Sequence, residues 1–131
     1  MSGQPLAVVR EAVEAWNARD VDRLLALATP DFEWTPAGAG AVAGAVYRGR
    51  VECAVALNEL FETWEGFHME EAQVRDLGDR MLWLGHVRAR GAGSALELDT
   101  EFSILIGIRG GRPSSMVAFF SWREGLAAAG L

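Results

Sequence analysis

Residues 80–108, RMLWLGHVRARGAGSALELDTEFSILIGI, decide the fold. Two runs rich in aliphatic and aromatic side chains, Arg80 to Arg90 and Ala95 to Ile108, flank a glycine-bearing turn, the pattern of an antiparallel hairpin. With Arg90 opposite Glu97, Arg88 faces Asp99 and His86 faces Glu101, so each basic group meets an acid. The alternate positions then pair Ala89 with Leu98, Val87 with Thr100, Gly85 with Phe102, Trp83 with Ile104 and Met81 with Ile106. A slip of one residue would turn the arginine row into the core, at a cost on the order of several kcal/mol per unpaired charge. One face is therefore charged near the turn and the other apolar. Burying side chains such as Trp83 and Phe102 is worth about 1.5–3 kcal/mol each, so the helices must cover that face.

Outward from the hairpin, Phe67 to Leu77 and Ser114 to Trp122 read as further strands, separated by GD and GG turn signals, which makes a four-strand meander. Upstream, Leu6, Val9, Val13 and Trp16 recur at helical spacing over Pro5 to Arg19, with Arg10, Glu11 and Glu14 on the remaining surface. Asp20 caps a second helix, Val21 to Ala28, which Pro30 ends. Phe32 to Thr35 is a short strand, and AGAGAVAGAVYRG (37–49) has little side chain to fix it and is expected to be a mobile loop at a pocket mouth. A third helix runs from Arg50 to about Trp64, with Val51, Ala54, Leu57, Phe61 and Trp64 on one face. The expected class is α+β: three helices over the concave face of a strongly curved, cone-shaped antiparallel sheet, a cystatin-like roll formed by one domain spanning 1–131.

Composition narrows the function classes. At 131 residues, half of them hydrophobic and 23% charged, the chain has enough apolar side chain for a sizeable core. A net charge of −6 opposes nucleic-acid and anionic-membrane partners, and no apolar run reaches the length of a membrane span. The N-terminus turns amphipathic at once, without the basic segment, apolar run and cleavage site of an export signal, so a cytoplasmic setting is expected. The only cysteine, Cys53, reads as a small buried apolar residue. Neither histidine has metal-ligand spacing, so no metal and no cofactor are expected.

The helix and strand parities enclose a mostly apolar pocket. Its expected walls are Trp16 on the first helix and Leu57, Phe61 and Trp64 on the third. The meander adds Trp83, Val87, Thr100, Phe102, Ile104, Met116 and Phe120, and Tyr47 stands at the rim. Glu33 and Thr35 lie two apart on the short strand and are expected to point the same way, into the pocket. A carboxylate there would be desolvated and suited to proton transfer; the competing reading is an edge-strand glutamate facing water. His86, Arg88, Asp99 and Glu101 resemble a catalytic cluster on paper, but the register makes them charge pairs on the outer face. That outer face also carries Leu82, Leu84, Leu105, Val117 and Phe119, an apolar patch from which a sheet-to-sheet homodimer is expected.

The order helix, helix, short strand, loop, YRG, helix, meander resembles the nuclear transport factor 2-like superfamily, particularly its SnoaL-like branch. The likeness runs from about Val8 to Leu131 and rests on AWNARDVDRLLALATPDFEW, GAVYRGR, the spacing of GDR to RARGAGSALEL, and the closing REGLAAAGL. It implies a cone-shaped sheet around a pocket, used in that superfamily by isomerases, polyketide cyclases, dehydratases and epoxide hydrolases, and by noncatalytic binders. The catalytic groups of those enzymes do not carry over. Where ketosteroid isomerase-like members have an aspartate before the strand-ending proline, this chain has Thr35 before Pro36; the matching tyrosine and acid positions hold Ala12 and Ile104. The Asp-Arg-Asp set of epoxide hydrolase-like members belongs inside the cone, whereas the register puts Arg88 and Asp99 outside. The resemblance thus implies a pocket protein for a small, largely apolar organic molecule. Cofactor-free isomerase, cyclase or dehydratase chemistry is the enzymatic form of that expectation, with Glu33 as its proton-transfer group. A noncatalytic ligand-binding or dimerisation module is the alternative.

Overall fold

Strands β4 and β5 of the hairpin pair in the register that the charge ladder demands, from Arg80 opposite Gly107 to Arg90 opposite Glu97. The structure is a computed structural model describing residues 4–37, 45–93 and 95–131. Most of the expected mobile loop, residues 38–44, lies outside the described residues. In chain order the elements are α1 (Gln4–Asn17), α2 (Val21–Leu27), β1 (Glu33–Thr35), β2 (Tyr47–Arg48), α3 (Gly49–Thr63), β3 (Trp64–Asp76), β4 (Arg80–Gly91), β5 (Glu97–Arg109), β6 (Arg112–Phe119) and α4 (Trp122–Ala128). They form an α+β roll whose curved, unclosed sheet has the order β2-β1-β6-β5-β4-β3. Among the described residues only the pairing of β1 with β6 is parallel.

The curvature has local causes. Strand β3 carries two irregularities, between Glu65 and His68 and between Glu71 and Gln73, and each bends the strand and increases its twist. Gly85 provides room on the inner face: a Cβ there would stand 2.1 Å from the Glu70 carbonyl and 2.5 Å from the Trp83 ring, so Trp83 folds over the glycine. Two side chains then fasten the helices to the exposed edge of β3. The Asn17 amide donates to the Met69 carbonyl (3.0 Å) while its oxygen accepts the Met69 N–H (2.8 Å), meeting backbone groups that an edge strand leaves unpaired. Arg19, held at φ 56°, donates to the carbonyls of Phe61 and Trp64 and lies over the Phe61 ring, closing the corner between α2 and the end of α3.

Three helices cover the inner face as expected, but the chain has a fourth helix that the strand reading through Trp122 overran. Ser121 is the N-cap of this helix: its hydroxyl accepts from the Glu124 N–H and donates to the Glu124 carboxylate, both at 3.1 Å. This ends the extended run and starts α4, which packs on the outer face of the sheet. The Trp122 indole donates to the Gly85 carbonyl (2.8 Å), and its backbone N–H donates to the Glu101 carboxylate (2.9 Å). Below the helix Leu82 and Leu84 are only 0% and 2% exposed, clustered with Leu77, Leu105, Trp122 and Leu126. Of the apolar patch from which a homodimer was expected, Leu82 and Leu84 are roofed by the chain's own C-terminal helix, while Leu105, Val117 and Phe119 stay partly exposed. Strand β4 is consequently apolar on both faces across Met81 to Gly85.

Candidate functional site

Helices α1, α2 and α3 do not fill the concavity they cover. A cavity of about 260 Å³ remains between them and the sheet. From α1 it receives Val9, Ala12, Val13 and Trp16, one stripe of an amphipathic helix. Leu24 and Leu60 reach it from α2 and α3. On the sheet side β3 contributes Trp64, Phe67 and Met69, β5 contributes Phe102, Ile104 and Ile106, and β6 and its end contribute Met116, Ala118 and Phe120. The alternation along β5 and β6 follows from the two-residue strand period, which sends every second side chain inward. Trp34, Pro36 and Ala37 complete the described wall.

The sequence candidates divide sharply. Trp16, Trp64, Phe102, Ile104, Met116 and Phe120 stand together around the cavity. Trp83 and Val87 do not: both are wholly buried core, with Trp83 packed edge to face against Phe102 at 6.5 Å. Phe61 is spent between the Arg19 guanidinium and the Trp16 ring, and Leu57 borders a separate void of about 20 Å³. Thr100 has the inward parity but lies toward the hairpin turn, half-buried and away from the cavity. Tyr47 stacks at a tilt on Trp34, 5.7 Å between ring centroids, and its hydroxyl side is likewise outside the lining.

Glu33 and Thr35 are the main correction. In β1 the buried residue is Trp34, and the two neighbours take the opposite face. The Glu33 side chain is 44% exposed and lies 3.4 Å from the Arg48 guanidinium across the β1–β2 pair. The physical reason was present in the tripeptide Glu-Trp-Thr: burying an indole is favourable, whereas burying an unpaired carboxylate costs several-fold more, so parity follows the tryptophan. The same alternation, with exposed His68 between buried Phe67 and Met69, marks two wall residues that the pocket expectation omitted. Ala12 and Ile104 face the cavity and present hydrocarbon there.

The outer charge ladder is structural. Arg88 and Asp99 stand 3.8 Å apart and Arg90 and Glu97 3.9 Å apart, all well exposed. His86 packs against the Trp122 ring while Glu101 caps that residue's backbone, so this pair holds α4. Cys53 is fully buried, its thiol directed to the carbonyls of Tyr47 (3.5 Å) and Phe32 (3.8 Å), and burial pushes its pKa up to about 11. Among the described residues no group of three His, Cys, Asp or Glu side chains converges in a way that would hold a metal ion. No described helix is long and apolar enough to cross a membrane.

The side chains of the described wall are thus aliphatic, aromatic and thioether groups, with the indole N–H groups as their only hydrogen-bond donors. The N–H of Trp16 is buried and has no acceptor among the described residues. Such a wall binds by excluding water. A helix-lined apolar cavity within a curved sheet, covered by elements in this order, is matched along the chain by the sequence profile of the SnoaL-like domain, over residues 9–129. The chain belongs to the SnoaL-like domain family. No curated protein matches this SnoaL-like domain in sequence. Among solved structures it is similar to a nuclear transport factor 2-like protein of unknown function from Burkholderia pseudomallei, with 25% identity, 97% of each chain covered and a TM-score of 0.79. It is also similar to a protein from Jannaschia sp. CCS1 provisionally named a SnoaL-like polyketide cyclase, at 16% identity, covering 98% of this chain and 92% of that one with a TM-score of 0.80. A hypothetical protein with a ketosteroid isomerase-like fold from Catenulispora acidiphila, solved with trimethylamine, aligns at 20% identity over 95% of this chain and 92% of the other, with a TM-score of 0.77. At 16% and 20% identity the likeness establishes the fold alone.

Proposed function

We propose that this SnoaL-like domain binds a small apolar organic molecule in the cavity under α1, α2 and α3, holding it by burial and without transferring a proton to it. The observation that carries this reading is the wall itself: about 260 Å³ of space whose described lining has neither an acid nor a base. Cofactor-free isomerase or dehydratase chemistry needs a general acid or base within hydrogen-bond reach of the reacting atom. Glu33, the residue that would have supplied it, faces away and is paired with Arg48. A cavity lined by hydrocarbon stays dry when empty, so an apolar guest enters without displacing tightly held water.

A cytoplasmic setting accords with the single free, buried Cys53. The test of the binding reading is the variant Ala12→Phe, which projects a ring into the cavity from α1. Native mass spectrometry and thermal shift against a panel of neutral organic molecules should show a bound guest and a raised Tm for the wild type. Ala12→Phe should lose both while keeping its far-ultraviolet circular dichroism. Equal uptake by the two proteins would overturn the assignment of the site.

A further inference from the structure

The size and chemistry of the wall restrict the guest further, an argument that rests on the cavity being the binding site. An apolar cavity of about 150 Å³ accepts one benzene ring. On that scale 260 Å³ takes a molecule of roughly ten non-hydrogen atoms, the size of two fused six-membered rings. Three or four fused rings exceed it unless the wall is rebuilt, and Trp16 and Phe102 are held against rebuilding. Trp16 stands edge to face with Trp34 at 6.1 Å and with Phe67 at 5.4 Å, and Phe67 meets Phe102 at 6.2 Å and 76°.

That chain of rings also selects shape. A flat aromatic guest continues the series of edge-to-face contacts, with its electron-poor edges against ring faces, and brings its face to the thioether sulfurs of Met69 and Met116. A saturated bicycle of the same carbon count is thicker and forms neither kind of contact. Charge is selected against as well, because an ionised carboxylate or ammonium would lose its water and find no opposite charge on the described wall. We infer that the cavity selects neutral, flat aromatic molecules of two fused rings.

Equilibrium dialysis of the full chain against naphthalene, decalin, pyrene, 2-naphthoate and trimethylanilinium tests this directly. Naphthalene should bind at least tenfold more tightly than each of the other four. For decalin and pyrene that order opposes their own stronger aversion to water, so hydrophobicity alone cannot produce it. Ala12→Phe on the helix side and Ala118→Phe on the sheet side should each abolish naphthalene uptake, and two variants on different elements guard against one that fails to fold. Binding of decalin, pyrene or a charged probe as tight as naphthalene, and lost in the filled variants, overturns the selectivity and leaves the binding reading standing. No uptake of any probe by the wild type overturns both.

Discussion

Gly125→Ala sets two physical effects of opposite sign against each other in one residue. Gly125 lies in the middle of α4, where alanine is favoured over glycine by about 1 kcal/mol on helix propensity alone. The packing argues the other way. A Cβ at Gly125 would stand 2.2 Å from the Ser103 Oγ, 2.6 Å from the Ser103 Cβ and 3.4 Å from Leu82. The hydroxyl has little freedom to turn aside, because it donates a 2.7 Å hydrogen bond to the Ser121 carbonyl at the start of the same helix. The Cβ of Ser103 has none. The helix must therefore lift from the sheet, loosening the cluster over Leu82 and Leu84. Overpacking of this kind costs about 1–3 kcal/mol. Set against the propensity gain, the net effect is a destabilisation of about 0–2 kcal/mol. For a chain of this length that lowers Tm by up to roughly 8 °C. Urea titration followed by circular dichroism, with a calorimetric scan, measures both quantities. In a Ser103→Gly background the obstructing atoms are gone, and the same Gly125→Ala change should become neutral or stabilising, a coupling that a double-mutant cycle isolates. A wild-type background in which Gly125→Ala raises Tm would refute the reasoning, since propensity alone would then govern α4.

Three further outcomes follow from other contacts. Asn17→Ala removes both hydrogen bonds to the edge of β3 and should cost about 1–3 kcal/mol, with amide exchange accelerated first at Met69. Cys53, with its pKa pushed up to about 11 mainly by burial, should resist thiol reagents at pH 8 until the chain unfolds. Because that folded value is raised, the contribution is intact below the ordinary thiol pKa and is lost as pH rises toward the folded one, so alkaline unfolding should come later in Cys53→Ala. The Asp31 carboxyl is held below its ordinary value, chiefly by the hydrogen bond from Arg109. Its contribution is therefore present at neutral pH and lost as pH falls through the folded value, and in Arg109→Ala a carbon-detected NMR titration of Asp31 should move up toward the ordinary range.

The sequence by itself determined the antiparallel meander at the centre of the sheet. In the β4–β5 hairpin only one register places three basic groups opposite three acids and keeps Trp83 and Phe102 on a common apolar side, and a one-residue error reverses every side chain, so local pattern was sufficient. The stripe on α1 and the strand alternation likewise identified part of the cavity wall, including Trp16, Phe102 and Ile104. What lay outside local pattern was decided by packing in three dimensions. The direction of Glu33 depended on which neighbour in a three-residue strand was more costly to expose, and Trp34 settled it. Trp83 and Val87 became solid core because Gly85 lets the indole fold back onto its own strand, a matter of volumes that parity does not report. The fate of Leu82 and Leu84 depended on a helix more than thirty residues later in the chain, started by the Ser121 cap, which lies inside the run that reads as the end of a strand. Periodicity gives the side of an element on which a residue lies; only the tertiary structure decides whether that side meets a void, another side chain or the chain's own end.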